Sequence, residues 1–321
     1  MKKKEQVQEP SIREVDDVEA VPVEEQNVIF RPNKGPQTEF LAAGEREVLY
    51  GGSAGGGKSY AMLADPLRYM GHPSFSGLLL RHTTEELREL IFKSKEIFPQ
   101  IWKGIKWSER KMQWEAPSGA RLWMSYLDRD DDVLRYQGLA FSWIGFDELT
   151  QWSTPYAWNY MRSRLRSVAQ DLPVFMRATT NPGGPGHQWV KKMFIDPAPY
   201  GRSFDATDIE SGNVLSYPKG HSKAGQSLFK RRFIPARLSD NPYLSAQGDY
   251  EAMLLSLPEH QRRQLLEGDW DIKEGAAFPE FDRNIHAIEP FKIPRNWVKF
   301  RSCDYGYGSY SGVLWFAVSP D

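Results

Sequence analysis

The sequence predicts an α/β fold with a doubly wound, mostly parallel sheet, and three observations predict it. Short apolar runs suited to buried strands alternate with segments of helical periodicity. A glycine-rich loop, Gly52–Ser59, joins one such run to one such helix. Two consecutive acids, Asp147 and Glu148, end a later run. At 321 residues the chain has length for about two domains. Its 40% hydrophobic content and 11 Trp supply a sizeable core and exclude disorder throughout.

The elements follow in order. Residues 1–26 read as a disordered acidic tail without an aromatic side chain. The body begins at Asn27, with a short helix at 36–43 and a buried strand from Glu47 running into the glycine cluster. A helix follows Lys58 to about Met70, with Ala61, Met62, Ala64 and Leu67 on its apolar faces. Gly77–Arg81 is a second strand, and Thr83 or Thr84 caps a helix carrying Leu87, Leu90, Ile91 and Phe98 at helical spacing. Residues 111–115 and 121–125 flank Pro117-Ser-Gly-Ala as a hairpin. Trp143–Phe146 is a third buried strand, a helix spans Trp158–Leu165, and Pro173–Ala178 is a fourth strand ending in Thr-Thr-Asn-Pro-Gly-Gly. Residues 27–186 thus form a core. From 187 to 293 the segments are shorter and read as a linking region, with helices at 245–257 and 258–267. Residues 294–321 open a second domain with strand-like runs at 297–303 and 312–318.

Composition narrows the setting. The single cysteine, Cys303, excludes a disulfide framework, favours a reducing compartment and reads as core. No apolar run approaches the ~18–20 residues of a membrane span, and the amino end lacks the apolar core of a secretory signal. The expectation is a soluble, intracellular protein without a membrane partner. The total charge of −1 conceals an asymmetry: four cations against eight acids make residues 1–25 −4, leaving +3 for the remainder. Residues 212–237 hold Lys219, Lys223, Lys230, Arg231, Arg232 and Arg237 and no acid, a stretch suited to phosphates. The six His residues lack metal-ligand spacing.

Gly52, Ser53, Ala54, Gly55, Gly56, Gly57, Lys58 and Ser59 satisfy G-x-x-x-x-G-K-[ST] in full, after an apolar strand and opening a helix. Glycines let backbone N–H groups converge on phosphate oxygens, and the helix N-terminus adds a favourable dipole. Lys58 neutralises β/γ-phosphate charge and the Ser59 hydroxyl reaches Mg²⁺. Asp147 at a strand end suits the metal side of such a site, and Glu148 can orient or deprotonate water, which favours hydrolysis over transfer to a substrate hydroxyl. Gln37, upstream of the first strand, is placed to read adenine, although a glutamine in a surface helix is common. Thr180 and Asn181 can bond the attacking water or γ-phosphate, although Thr-Asn-Pro is also ordinary turn chemistry.

Together, Gln37, the Gly52–Ser59 loop, Asp147-Glu148 and Thr180-Asn181-Pro182 resemble the large terminase subunit of tailed bacteriophages. The resemblance continues through His187-Gln-Trp-Val-Lys, Asp240-Asn-Pro-Tyr-Leu, Leu266-Glu-Gly-Asp-Trp and Arg301-Ser-Cys-Asp304, and covers about residues 30–321. It implies a RecA-like, additional-strand P-loop NTPase, a linking or lid subdomain, and the first strands of an RNase H-like nuclease. The implied activity is ATP-driven translocation of double-stranded viral DNA into a procapsid, with ATP and Mg²⁺ as cofactors. Lys58 and Ser59 become phosphate and Mg²⁺ ligands, Asp147 the Mg²⁺-side acid, Glu148 the catalytic carboxylate and Thr180/Asn181 the coupling motif. An arginine at the γ-phosphate is implied, with Arg135 first, Arg162, Arg164 and Arg166 in reserve, and Arg81 resembling a family arginine near the nucleotide. Asp304 resembles the first of the nuclease carboxylates that hold two Mg²⁺ or Mn²⁺ ions. The later acids of that set do not follow before residue 321, so no cleavage is expected of these residues alone. Implied partners are duplex DNA held without sequence preference, a small terminase subunit, the capsid portal and sister subunits in a ring, all in the host cytoplasm. A helicase-like DNA-translocating ATPase would instead need a second RecA-like domain. A docking module would not need an intact Lys58, Ser59, Asp147 and Glu148, and a P-loop kinase would not need the acid pair.

Overall fold

The computed structural model describes residues 30–246, 248–272, 289, 291–305 and 312–320. The expected tail, 1–26, lies outside the described residues. The chain divides into two compact units, Met1–Ile272 and Lys273–Asp321.

The first unit is built on one nine-stranded sheet. Its elements are α1 (Pro36–Ala42), β1 (Glu47–Gly52), α2 (Lys58–Leu67), β2 (Ser76–Arg81), α3 (Thr84–Ile101), β3 (Lys106–Ser108), β4 (Gln113–Glu115), β5 (Arg121–Tyr126), β6 (Trp143–Asp147), α4 (Tyr156–Arg162), β7 (Phe175–Thr180), α5 (His187–Val190), β8 (Ser203–Asp205), β9 (Lys230–Ala236), α6 (Pro242–Ser245), α7 (Asp249–Leu255) and α8 (Glu259–Arg262). The strand order is β3-β4-β5-β2-β6-β7-β1-β9-β8. The six central strands, β5 to β9 in that order, are mutually parallel, and antiparallel strands close both edges. The doubly wound, mostly parallel sheet expected from the sequence is therefore present. β7 stands between β1, which leads into the glycine loop, and β6, which ends in the acids. That is the additional strand of the expected class.

Alternation along the strands builds a core on each face. Leu78 and Leu80 join Ile144, Phe146, Met176, Trp158 and Phe194 on one side. Leu79 and Trp143 face Met62, Leu63, Leu90 and Phe98 on the other. Successive strand side chains point to opposite faces, so strands covered on both sides read as continuous apolar runs. Thr83 rather than Thr84 caps α3, accepting from the Glu86 N–H in a capping box.

The second unit holds an antiparallel hairpin of β10 (Val298–Asp304) and β11 (Gly312–Val318), on the two runs read as strands. Cys303, expected in a core, is exposed. Within its own unit the described residues give this two-stranded ribbon no second layer.

Candidate active site

Parallel strands deliver their carboxyl ends to one edge of a sheet, and four of them meet here. Between β1 and α2 the loop turns through Gly52 (φ 138°), Gly55 (φ 77°) and Gly57 (φ 77°). At Gly52 a Cβ would lie 2.3 Å from the Ala236 carbonyl, so only glycine fits. The amides of Gly55–Ser59 donate to no acceptor among the described residues. They form a ready concavity for an anion at the start of α2. The Lys58 ammonium is buried and donates to the Ser53 carbonyl at 2.5 Å. Burial pulls it below the ordinary lysine value, and nearby Glu148 and Asp147 oppose that shift.

Asp147 ends β6 fully buried, and its carboxylate accepts from three donors. Arg81, ending the adjacent β2, gives Nε at 2.7 Å and a terminal nitrogen at 2.6 Å to Oδ2. Thr179 on β7 donates its hydroxyl to Oδ1. Glu148, next in the chain, adopts a left-handed backbone (φ 58°, ψ 57°). It is one of two non-glycine residues with positive φ among those described. Such a conformation costs a non-glycine residue about 1–2 kcal/mol and needs a surrounding structure that imposes it. Here the imposing structure is the 149–152 segment. Thr150 N–H and hydroxyl both reach the Thr180 hydroxyl, at 3.2 and 2.7 Å, and the Gly186 N–H donates to the Thr150 carbonyl at 2.7 Å. Burial, then repulsion from Asp147, pushes the Glu148 carboxyl above the ordinary carboxylate value despite Lys58 and Arg81. The Asn181 backbone also opposes that rise. The Asn181 side-chain oxygen is buried without a partner.

A family model, the N-terminal part of the T4likevirus-type terminase large subunit, matches residues 49–285. The chain belongs to the large terminase subunit family. Among solved structures, the large terminase of a thermophilic bacteriophage in complex with ADP is 18% identical with a TM-score of 0.53. The match covers 90% of this chain and 66% of that one, so the chain spans just under two thirds of that relative's length. The same phage protein in complex with ATP-γ-S is 17% identical, with a TM-score of 0.52 over 90% of this chain and 65% of that one. The ATPase domain of the Thermus phage P74-26 large terminase is 13% identical over 75% of this chain and 94% of its own, with a TM-score of 0.47. No curated protein matches the chain in sequence.

Within the terminase chain the remaining expected site residues fall unevenly. Gln37 is buried against the loop, but its amide is engaged. Nε2 donates to the Gly57 carbonyl at 2.9 Å, and Oε1 accepts from the Asn33 N–H at 2.6 Å. In this arrangement Gln37 braces the loop rather than offering a free edge to a base. Arg135 is exposed, bonded to the Tyr126 carbonyl at 2.9 Å and paired with Asp132 at 3.2 Å. Arg162 pairs with buried Glu47 at the start of β1, the end of a six-residue strand opposite the loop, about 17–20 Å away. That removes Arg162 from the γ-phosphate position in its own subunit. Arg164 stacks over Tyr160, and Arg166 bonds the Gly138 and Leu139 carbonyls. Asp304 ends β10, exposed, opposite Gly312. No group of three or more metal-ligating side chains occurs among the described residues.

The basic stretch at 212–237 is also corrected. Lys230 pairs with Asp205, Arg231 with buried Glu47, and Arg232 with Glu39, because β9 crosses the sheet beside acids far away in sequence. Lys219, Lys223 and Arg237 remain. Sequence reading missed Thr179 and Thr150, ordinary residues that become partners of Asp147 and Thr180 only through strand adjacency. It also gave no role to Asn241, whose side-chain amide donates to the Gly55 carbonyl at 2.7 Å.

Proposed function

We propose that this chain is the ATP-hydrolysing motor part of a DNA-packaging terminase. The observation that carries the reading is that β1, β7 and β6 run parallel and side by side, which brings Lys58 to Asp147 and Glu148 beside a row of free loop amides. ATP places its phosphates on the amides of Gly55–Ser59. Lys58 leaves the Ser53 carbonyl for the β- and γ-phosphate oxygens. The Ser59 hydroxyl and Asp147 carboxylate are hard oxygen donors of the kind Mg²⁺ takes, and they fit it provided Arg81 shares Asp147. They would hold the ion, which when bound neutralises phosphate charge. Glu148 orients a water and takes its proton as the water oxygen bonds the γ-phosphorus and the bond to the β-phosphate oxygen breaks. A raised carboxyl value suits a base working near neutral pH. Asn181 senses the γ-phosphate, and Thr180 passes the change through Thr150 to α5 and the linking region.

An arginine from a sister subunit in a ring completes the site. Arg135 serves this role, being exposed and held by weak surface contacts. The partners are duplex DNA, a small terminase subunit and the capsid portal, and the work is done in the host cytoplasm at the procapsid. The β10–β11 hairpin opens an RNase H-like nuclease in which Asp304 supplies one ligand to paired Mg²⁺ or Mn²⁺ ions. For DNA, the β3–β5 edge carries five exposed cations without an ion pair among the described residues, Lys103, Lys106, Arg110, Lys111 and Arg121. That edge supports sequence-independent phosphate contact better than residues 212–237.

The test is phosphate release by the purified chain with Mg²⁺ and ATP, with and without duplex DNA, beside Lys58→Ala. Turnover that survives Lys58→Ala, or none under any condition, sinks the proposal.

A further inference from the structure

One short segment of the linking region touches both ends of the proposed cycle. After α8 the chain makes a single π turn, Arg263–Glu267, closed by Gly268 in the left-handed conformation (φ 66°). Arg263 is clamped to Asp269 across the turn. A π turn widens the helix and alters which carbonyls stay bonded within it. The Leu265 carbonyl faces the glycine loop and accepts the Ala54 N–H at 2.6 Å. Gly268 lies against the same loop: a Cβ there would be 2.7 Å from the Ser53 nitrogen.

The same segment holds the coupling turn. Gln264 donates from Nε2 to the Pro182 carbonyl at 2.8 Å. Two residues past Gly268, Trp270 stacks on His187 with ring centroids 5.3 Å apart. His187 Nδ1 accepts from the Gly183 N–H at 2.8 Å, so Nε2 carries the proton and faces the Trp270 carbonyl at 3.2 Å. Residues 264–270 are therefore a strap with one side on the loop at Leu265 and Gly268, and the other on the 182–187 turn at Gln264 and Trp270.

We infer that Gln264 is a positioning residue for ATP turnover: it fixes the Asn181–Pro182 turn to the strap that rides on the glycine loop. The Asn181 carbonyl accepts from the Thr150 hydroxyl at 3.3 Å, two residues after Glu148, so this anchor sets the placement of the carboxylate. Among the described residues Gln264 bonds the Pro182 carbonyl and makes no hydrogen bond to Lys58, Ser59, Asp147 or Glu148. The inference rests on the hydrolytic reading above.

The experiment compares wild-type chain, Gln264→Met and Gln264→Lys. Methionine keeps the length and removes the donor, whereas lysine keeps a donor of similar reach. The expected result is a kcat about tenfold lower in Gln264→Met, the rate equivalent of one hydrogen bond, with KM for ATP within about twofold. Amide hydrogen exchange over residues 180–186 should quicken in Gln264→Met while peptides of the glycine loop stay as in wild type. Gln264→Lys should recover most of the lost kcat. Wild-type kcat in the methionine variant, or equal loss in both variants, overturns the inference while wild-type turnover leaves the ATPase reading standing. Absence of turnover in wild type itself overturns the ATPase reading instead.

Discussion

Glu148 is the residue on which hydrolysis and strain converge. Replacing it with glutamine keeps the size but removes the proton acceptor. General-base catalysis contributes roughly 10²–10⁴ in rate, about 3–5 kcal/mol at 1.36 kcal/mol per decade. Turnover of Glu148→Gln should fall by that factor, while ATP affinity, carried by the loop amides and Lys58, should stay within about threefold. Glu148→Asn separates chemistry from folding. Asparagine tolerates positive φ better than glutamate, and at φ 58° the present residue bears about 1–2 kcal/mol of backbone strain. Burial and Asp147 also disfavour its charged form. The asparagine variant should therefore lose turnover equally and gain about 1 kcal/mol of stability, read by urea unfolding beside a phosphate-release assay. Turnover within tenfold of wild type in both variants would refute the assignment. A stability loss in Glu148→Asn would refute the strain argument alone.

Glu47 offers a stability test away from the site: it is fully buried between Arg162 and Arg231. Glu47→Gln leaves Arg231 buried without its partner and should cost about 3–5 kcal/mol in urea unfolding. Burial raises the Glu47 carboxyl, but Arg231 and Arg162 outweigh it, so its folded value is depressed. That stabilisation is complete above the ordinary glutamate value and lost as pH falls through the depressed one, and the variant should lack this acid-side loss. Gly57→Ala places a methyl 2.7 Å from the Gln37 amide at φ 77°, so ATP affinity by fluorescent-nucleotide titration should drop at least tenfold, against little change at Gly44. Charge reversal at Lys106, Arg110 and Lys111 should weaken duplex binding alike across sequences and lower the salt slope by about 2–3, with ATP turnover in the absence of DNA unchanged. Reversal at Lys219 and Lys223 should do less.

The sequence made part of this site legible because some chemistry is local. Gly52–Ser59 needs its glycines and lysine at fixed offsets on one loop, and Asp147-Glu148 needs only to end a buried strand, so both are visible in one dimension. Contacts that cross strands leave no such trace. Thr179 meets Asp147 because β7 lies beside β6, and Thr150 meets Thr180 because Glu148 turns left-handed and folds the next residues back. The cations show the same limit from the other side. Residues 212–237 contain no acid, so in sequence they read as a free positive stretch. Yet β9 lies beside β1 and β8, which place Glu47 and Asp205 against Arg231 and Lys230. Around Lys103–Lys111, by contrast, Glu109 is answered by Lys95 from α3, and Lys103, Lys106, Arg110 and Lys111 make no ion pair among the described residues, with Glu115 opposite Lys106 across β3 and β4. A charge count along the chain finds excess only where partners are also local. Long-range strand pairing decides which of the two basic stretches is free to meet a phosphate.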